Sequence, residues 1–141
     1  MLRATMTLII QYGVTDASVL LGRKKRGNLG RGLLSAPGGK IEPCDQNNPV
    51  TCALRETREE FGLELRREYL ERKEVARIKY HHAQNEACWF VHHFATSVFD
   101  GMLVETDEFE KPAWYELRKL PIDQLFDADC YTFPRMLDAF V

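Results

Sequence analysis

The chain has 141 residues, 45% of them apolar and 28% charged, with a formal net charge of −2. That length and apolar share suit one packed core, so a single domain over 1–141 is expected; the near-neutral charge offers no broad basic surface for a nucleic-acid polymer and favours a small ligand. The first residues hold only a short apolar run, Leu8 to Ile10, no segment is long enough to span a bilayer, and Cys44, Cys52, Cys88 and Cys130 lack CxxC spacing, so a reduced cytoplasmic protein with free thiols and no membrane partner is expected.

Thr5 to Ile10 is rich in β-formers, and Ala17 to Gly22 is a second apolar run beyond the turn-like Tyr12-Gly13-Val14-Thr15-Asp16; together they predict a hairpin. A basic, glycine-punctuated loop follows, Gly22-Arg23-Lys24-Lys25-Arg26-Gly27-Asn28, running on through Gly30 and Gly32 to Pro37-Gly38-Gly39, where backbone can approach a ligand closely. Asn48 as cap, Pro49 in the first turn and Gly62 just past the end predict a helix over 49–61. Val50, Leu54, Thr57 and Phe61 recur at helical spacing as its buried stripe, which sets Glu56, Glu59 and Glu60 facing away. Glu74 to Tyr80 and Cys88 to Phe99 form a second hairpin across a polar turn over 81–86, Ala113 to Leu117 is a short strand, Pro121 to Phe126 a helical turn, and Phe133 to Phe140 a terminal helix. Strands and helices mix without regular βαβ alternation or internal repeat, so the expected fold class is α/β, a sandwich around a mixed sheet.

Glu56, Glu59 and Glu60 stand at i, i+3 and i+4, which brings three negative charges onto one helical face. They lie in the helix's C-terminal half, where the macrodipole disfavours anions. A divalent cation reverses that balance, and magnesium, which takes oxygen ligands from a few carboxylates and from substrate phosphates, suits this face. Arg55 can brace one of the carboxylates. For an arbitrary acidic helix a solvated face offset by Arg55 and Arg58 is the commoner outcome; the surrounding residues change the odds.

Gly39 followed by Arg55-Glu56-Thr57-Arg58-Glu59-Glu60-Phe61-Gly62-Leu63 resembles the Nudix box, a glycine followed by R-E-U-x-E-E-x-G-U with U apolar. Five fixed identities arise by chance at on the order of 10⁻⁶ per starting position. The box differs in three places: Asp45 stands where a glutamate is usual, six residues after the glycine; the following spacer is two residues longer; and Thr57 replaces an aliphatic residue. The extra residues fall in Gln46-Asn47-Asn48, in a loop that absorbs length cheaply, and Asp45 is expected to serve loop order apart from the metal-binding face. The resemblance covers most of the chain and is nearest to the MutT-type 8-oxo-dGTP diphosphatases, through Val19 to Gly27, Val104 to Glu108, Trp114 and Asp129 to Pro134.

The resemblance implies a Nudix-type α/β/α sandwich and magnesium-dependent hydrolysis of a nucleoside triphosphate to monophosphate and pyrophosphate, with manganese a substitute ion. It implies Arg55, Glu56, Glu59 and Glu60 as catalytic residues, with Glu59 or Glu60 as the base, and Gly38, Glu56, Glu59, Glu60 and Glu108 as metal ligands. Thr5, Lys24, Ser35, Gly38, Gly39, Phe126 and Asp129 would meet the nucleotide. Ser35 stands where the family has asparagine, and Ala128-Asp129 where it has two aspartates, leaving one carboxylate for the purine edge and predicting weaker discrimination among purines. Two alternatives stay open: a Nudix hydrolase of a dinucleotide or ADP-sugar, and a nucleotide-sensing module without turnover. His81, His82, His92 and His93 do not predict zinc, because neighbours on a strand point to opposite faces. The oligomeric state is left unassigned.

Overall fold

The computed structural model describes residues 1–27, 30–81 and 87–140. Strand β1, Leu2–Tyr12, is the axis of the sheet. Its run Leu8-Ile9-Ile10 does not alternate with polar residues because both of its faces are covered. Leu8 and Ile10 pack with Phe133, Met136 and Leu137, whereas Ile9 packs with Val50, Ala53 and Phe61. β2, Ala17–Arg23, returns antiparallel along the end of β1, with Ile10 opposite Val19.

Two short strands occupy the expected glycine loop. β3, Leu34–Ser35, pairs with the end of β2, and β4, Gly38–Lys40, pairs with the start of β1, placing Gly38 opposite Met6 and Gly39 opposite Thr5. Their lengths of two and three residues carry no periodicity to read. Helix α1, Pro49–Phe61, has the expected bounds: Asn48 Oδ1 accepts the Val50 and Thr51 N–H groups, and Gly62 ends the helix at φ 79°.

β5, Leu63–Leu65, and the short helix α2, Arg67–Leu70, follow. β6, Glu74–His81, and β7, Cys88–Thr96, form the second hairpin, and β7 runs parallel to β1, which makes the sheet mixed. The turn between them beyond His81, like Asn28 of the basic loop, lies outside the described residues. β7 ends three residues before Phe99, because Phe99 opens a separate strand, β8, Phe99–Gly101, which pairs with β5. β9, Ala113–Glu116, adds to the outer side of β2.

Helix α3, Asp127–Phe140, begins six residues earlier than expected and contains Pro134. A proline inside a helix removes one internal bond, and this one is carried by the packing of Phe133, Met136 and Leu137 on the sheet. With α1 on one face and α3 on the other, the result is an α/β/α sandwich. No helix among the described residues is long and apolar enough to cross a membrane.

Candidate active site

The buried residues of α1 are Val50, Cys52, Ala53, Thr57, Glu60 and Phe61, while Leu54 is only half-buried. This corrects the expectation that the three glutamates face away from the core. Positions 50, 53, 57 and 60 form one helical stripe, so Glu60 turns inward with 6% exposure, Glu56 is half-buried, and only Glu59 is open to solvent.

Arg55 organises this face. Its Nε and Nη2 donate to the two oxygens of Asp45 at 2.9 and 2.8 Å, and its Nη1 donates to Glu56 Oε1 at 3.0 Å and Glu59 Oε2 at 3.2 Å. Asp45 is 1% exposed and its Oδ2 also accepts the Glu42 N–H, closing the 3-10 turn Pro43–Asp45. The Arg55 hydrogen bonds hold the Asp45 carboxyl below its ordinary pKa and push the guanidinium's up. Asp45 therefore belongs to the carboxylate network through Arg55 instead of standing apart from it. The lengthened loop makes this reach with Gln46 and Asn47 in left-handed backbone, φ 54° and 59°, a region asparagine tolerates better than most residues.

Gly38 and Gly39 lie against the other two carboxylates. The Gly38 N–H donates to Glu60 Oε1 at 2.8 Å. A Cβ at Gly38 would overlap the Thr5 carbonyl, so that position requires glycine, whereas one at Gly39 would lie 2.5 Å from Glu56 Oε1 and displace the end of that side chain. Burial raises the Glu60 pKa to about 8, the Gly38 N–H opposing it and the Glu56 and Glu108 charges adding to it, while Lys24 relieves it. Burial likewise raises Glu56 to about 7 against the pull of Arg55. Two inward carboxylates that disfavour their own ionisation, set against bare glycine backbone, form an all-oxygen donor set that fits a hard divalent cation.

The charge of Glu108, in the segment before β9, is felt at Glu60. Its carbonyl accepts the Lys25 N–H and its carboxylate pairs with Arg26 at 3.5 Å. Among the described residues, no three acidic, histidine or cysteine side chains already converge as a ligand set. Lys24 is tied by backbone bonds to Leu33 and Gly32, with its charge felt at Glu60.

The expected nucleotide-contacting residues divide between the two faces of the sheet. Thr5 is 3% exposed and its Oγ1 sits 3.4 Å from Cys52 Sγ of α1, so it faces the helix that carries the glutamates. Ser35 is buried opposite Gly22, which borders Phe61 and Phe109, and its hydroxyl donates to the Ala36 carbonyl. Phe126 packs over Gly30, where an added Cβ would overlap its ring. Asp129 is 4% exposed, its Oδ2 has no partner among the described residues, and burial raises its pKa to about 7.

His92 and His93 do point to opposite faces: His92 Nδ1 meets Glu74 Oε1 at 3.0 Å, and His93 Nε2 meets the Tyr80 hydroxyl at 3.2 Å. Neither Tyr80 nor the network role of Asp45 emerges from sequence reasoning. For Asp45 a signal existed, its place six residues after Gly39; for Tyr80 the pairing across the sheet had to be seen.

Residues 2–135 match the NUDIX domain family. An oxidized purine nucleoside triphosphate hydrolase of Danio rerio is 32% identical over 133 residues, covering 94% of this chain and 78% of that protein. The protein of the same description from Mus musculus is 31% identical with the same coverage. In fold, the chain is similar to the crystal structure of a MutT NUDIX hydrolase from Burkholderia pseudomallei, with a TM-score of 0.74 at 24% identity over 99% of this chain and 97% of that one. A domain match across nearly the whole length, together with the 32% identical relative, places this chain among the enzymes of the Nudix hydrolase family.

Proposed function

We propose that the chain hydrolyses purine nucleoside triphosphates, oxidised ones such as 8-oxo-dGTP included, to the monophosphate and pyrophosphate, with magnesium as its ion. The observation that carries the phosphate chemistry is the pair of inward carboxylates, Glu56 and Glu60, against the Gly38–Gly39 backbone. The description of the 32% identical relative supports the choice of base. Glu56, Glu59, Glu60, Glu108 and the Gly38 carbonyl would hold the ion. When bound, magnesium offsets phosphate charge and makes the attacking water more acidic; manganese is the expected substitute.

The remaining work falls to the chain's own groups. Arg55, fixed by Asp45, sets the positions of the Glu56 and Glu59 carboxylates. Glu59, the member open to solvent, or Glu60 accepts the proton of the attacking water. Lys24 meets a phosphate oxygen, and Phe126 and Asp129 hold the base. The nucleotide pool of the cytoplasm is the proposed setting, in keeping with four free thiols.

The test is a panel of 8-oxo-dGTP, dGTP, dATP, ADP-ribose and a dinucleoside polyphosphate, with products separated by chromatography. The proposal expects monophosphate and pyrophosphate from 8-oxo-dGTP. Turnover confined to ADP-ribose or the dinucleotide would contradict it.

A further inference from the structure

Arg23 closes β2, and neither the family resemblance nor the phosphate chemistry gives its side chain a task. Neighbours on a strand point to opposite faces. Val19 and Leu21 pack with the residues of α3 and Leu20 with those of α1, so Arg23 falls on the α3 side, with Phe126 and Asp129. The charge of the next residue, Lys24, is felt at Glu60 on the opposite side.

The Arg23 guanidinium joins two segments far apart in sequence. Its Nη1 donates to the Gly32 carbonyl at 2.8 Å and its Nη2 to Gln124 Oε1 at 2.7 Å. Gly32 belongs to a turn over 30–33, which the Leu33 N–H closes on the Gly30 carbonyl at 2.9 Å. Gln124 ends the 3-10 turn Ile122–Gln124, shortly before Phe126. The ring of Phe126 lies over Gly30, so both segments held by Arg23 meet at that ring.

The turn needs such support. Gly30 and Gly32 are both left-handed, at φ 80° and 85°, and glycine loses more conformational freedom on ordering than any other residue. Two backbone bonds hold the turn to β2, from the Lys24 N–H to the Leu33 carbonyl and from the Gly32 N–H to the Lys24 carbonyl. Arg23 extends this hold to the Gln124 segment, beside the backbone bridge between Leu34 and Leu125. A planar fork reaches both acceptors in one fixed geometry, which the single ammonium of lysine does not.

We propose that Arg23 is a positioning residue for the base end of the site: its guanidinium clamps the Gly30 turn to Gln124 and so fixes the Phe126 ring where a purine stacks. This rests on the nucleoside triphosphate reading. Because the clamp lies on the face away from Glu56 and Glu60, it sets nucleotide affinity and leaves magnesium affinity alone.

Arg23→Met removes the fork, Gln124→Met removes one acceptor at nearly constant length, and Gln124→Glu keeps an acceptor in place. Binding of dGMP and, separately, of magnesium is measured by calorimetry well below each melting temperature, with kcat and KM for dGTP and 8-oxo-dGTP alongside. In Arg23→Met and in Gln124→Met the Kd for dGMP and the KM for both triphosphates should rise about five- to tenfold. Magnesium affinity and kcat should stay at the wild-type level, the pattern of lost uniform binding. Gln124→Glu should bind dGMP as wild type does, and the double methionine variant should go no further than Arg23→Met, since both changes cut one clamp. Unmoved dGMP affinity and KM in the two single variants overturn the proposal. A loss confined to Arg23→Met also overturns it, by making the guanidinium a direct nucleotide ligand, as does a parallel loss of magnesium affinity. If Arg23→Met does not fold, Gln124→Met against Gln124→Glu decides. A wild type that neither binds dGMP nor turns over a triphosphate overturns the nucleotide reading and the clamp with it; a competent wild type matched by both single variants overturns the clamp alone.

Discussion

Asp45 and Asp129 are both buried almost completely, at 1% and 4% exposure, yet their surroundings drive them in opposite directions. Arg55 lowers the pKa of Asp45, so its stabilising contribution is present above the unfolded value of 3.8 and is lost as pH falls through the lower folded value. Removing one partner of a buried pair strands the other. Asp45→Ala should therefore cost about 3–5 kcal/mol in denaturant unfolding and, by releasing Arg55 from Glu56 and Glu59, should also weaken magnesium affinity. Calorimetric titration showing native affinity in a folded Asp45→Ala protein would restore the view of Asp45 as a loop residue alone. Asp129 has the reverse linkage: burial raises it to about 7, so its contribution is full below 3.8 and declines as pH rises through about 7. Melting curves of wild type should fall between pH 5 and 8, and Asp129→Asn, which cannot ionise, should flatten that fall. An unchanged slope would show that Asp129 is not the group responsible.

At the level of elements, the two glycines of β4 make separable predictions. A Cβ at Gly38 meets the Thr5 carbonyl and the Met6 Cα, which are backbone and cannot yield without disturbing the β1–β4 pairing; at Gly39 it meets the end of the Glu56 side chain, which can swing aside. Gly38→Ala should thus lower the melting temperature sharply, whereas Gly39→Ala should stay folded and lose at least about tenfold in magnesium affinity, the usual scale for disturbing a ligand's support. Equal melting temperatures for the two variants would contradict this division. The bounds of α1 were legible because Asn48, Pro49 and Gly62 are local signals acting on their own backbone. β4 was not, since its existence depends on pairing with β1. Neither was the inward turn of Glu60: a stripe through Val50, Leu54, Thr57 and Phe61 leaves Glu60 outside, although the spacing of Ala53 and Thr57 continues to position 60. The start of α3 was obscured by Pro134, whose cost in the helix is offset by core contacts invisible in local sequence.

Across the whole molecule, the sandwich sets the candidate site residues on both of its faces. α1 turns Glu56 and Glu60 toward the glycine strand on one side of the sheet, and α3 brings Asp129 from the other. The site carries strain in its buried carboxylates, with Glu56 and Glu60 both raised by burial. A bound divalent ion relieves that strain only in the folded state, so magnesium should raise the melting temperature in proportion to ln(1 + [Mg]/Kd). A calcium or magnesium titration without any such rise would leave the acidic face as solvated surface. The most direct test of the central claim is pyrophosphate release from 8-oxo-dGTP by wild type, Glu59→Gln and Glu60→Gln, each with magnesium and again with excess chelator. The account predicts release by wild type that stops on chelation and falls at least about a hundredfold in each variant; release that survives chelation, or two variants as fast as wild type, would contradict it.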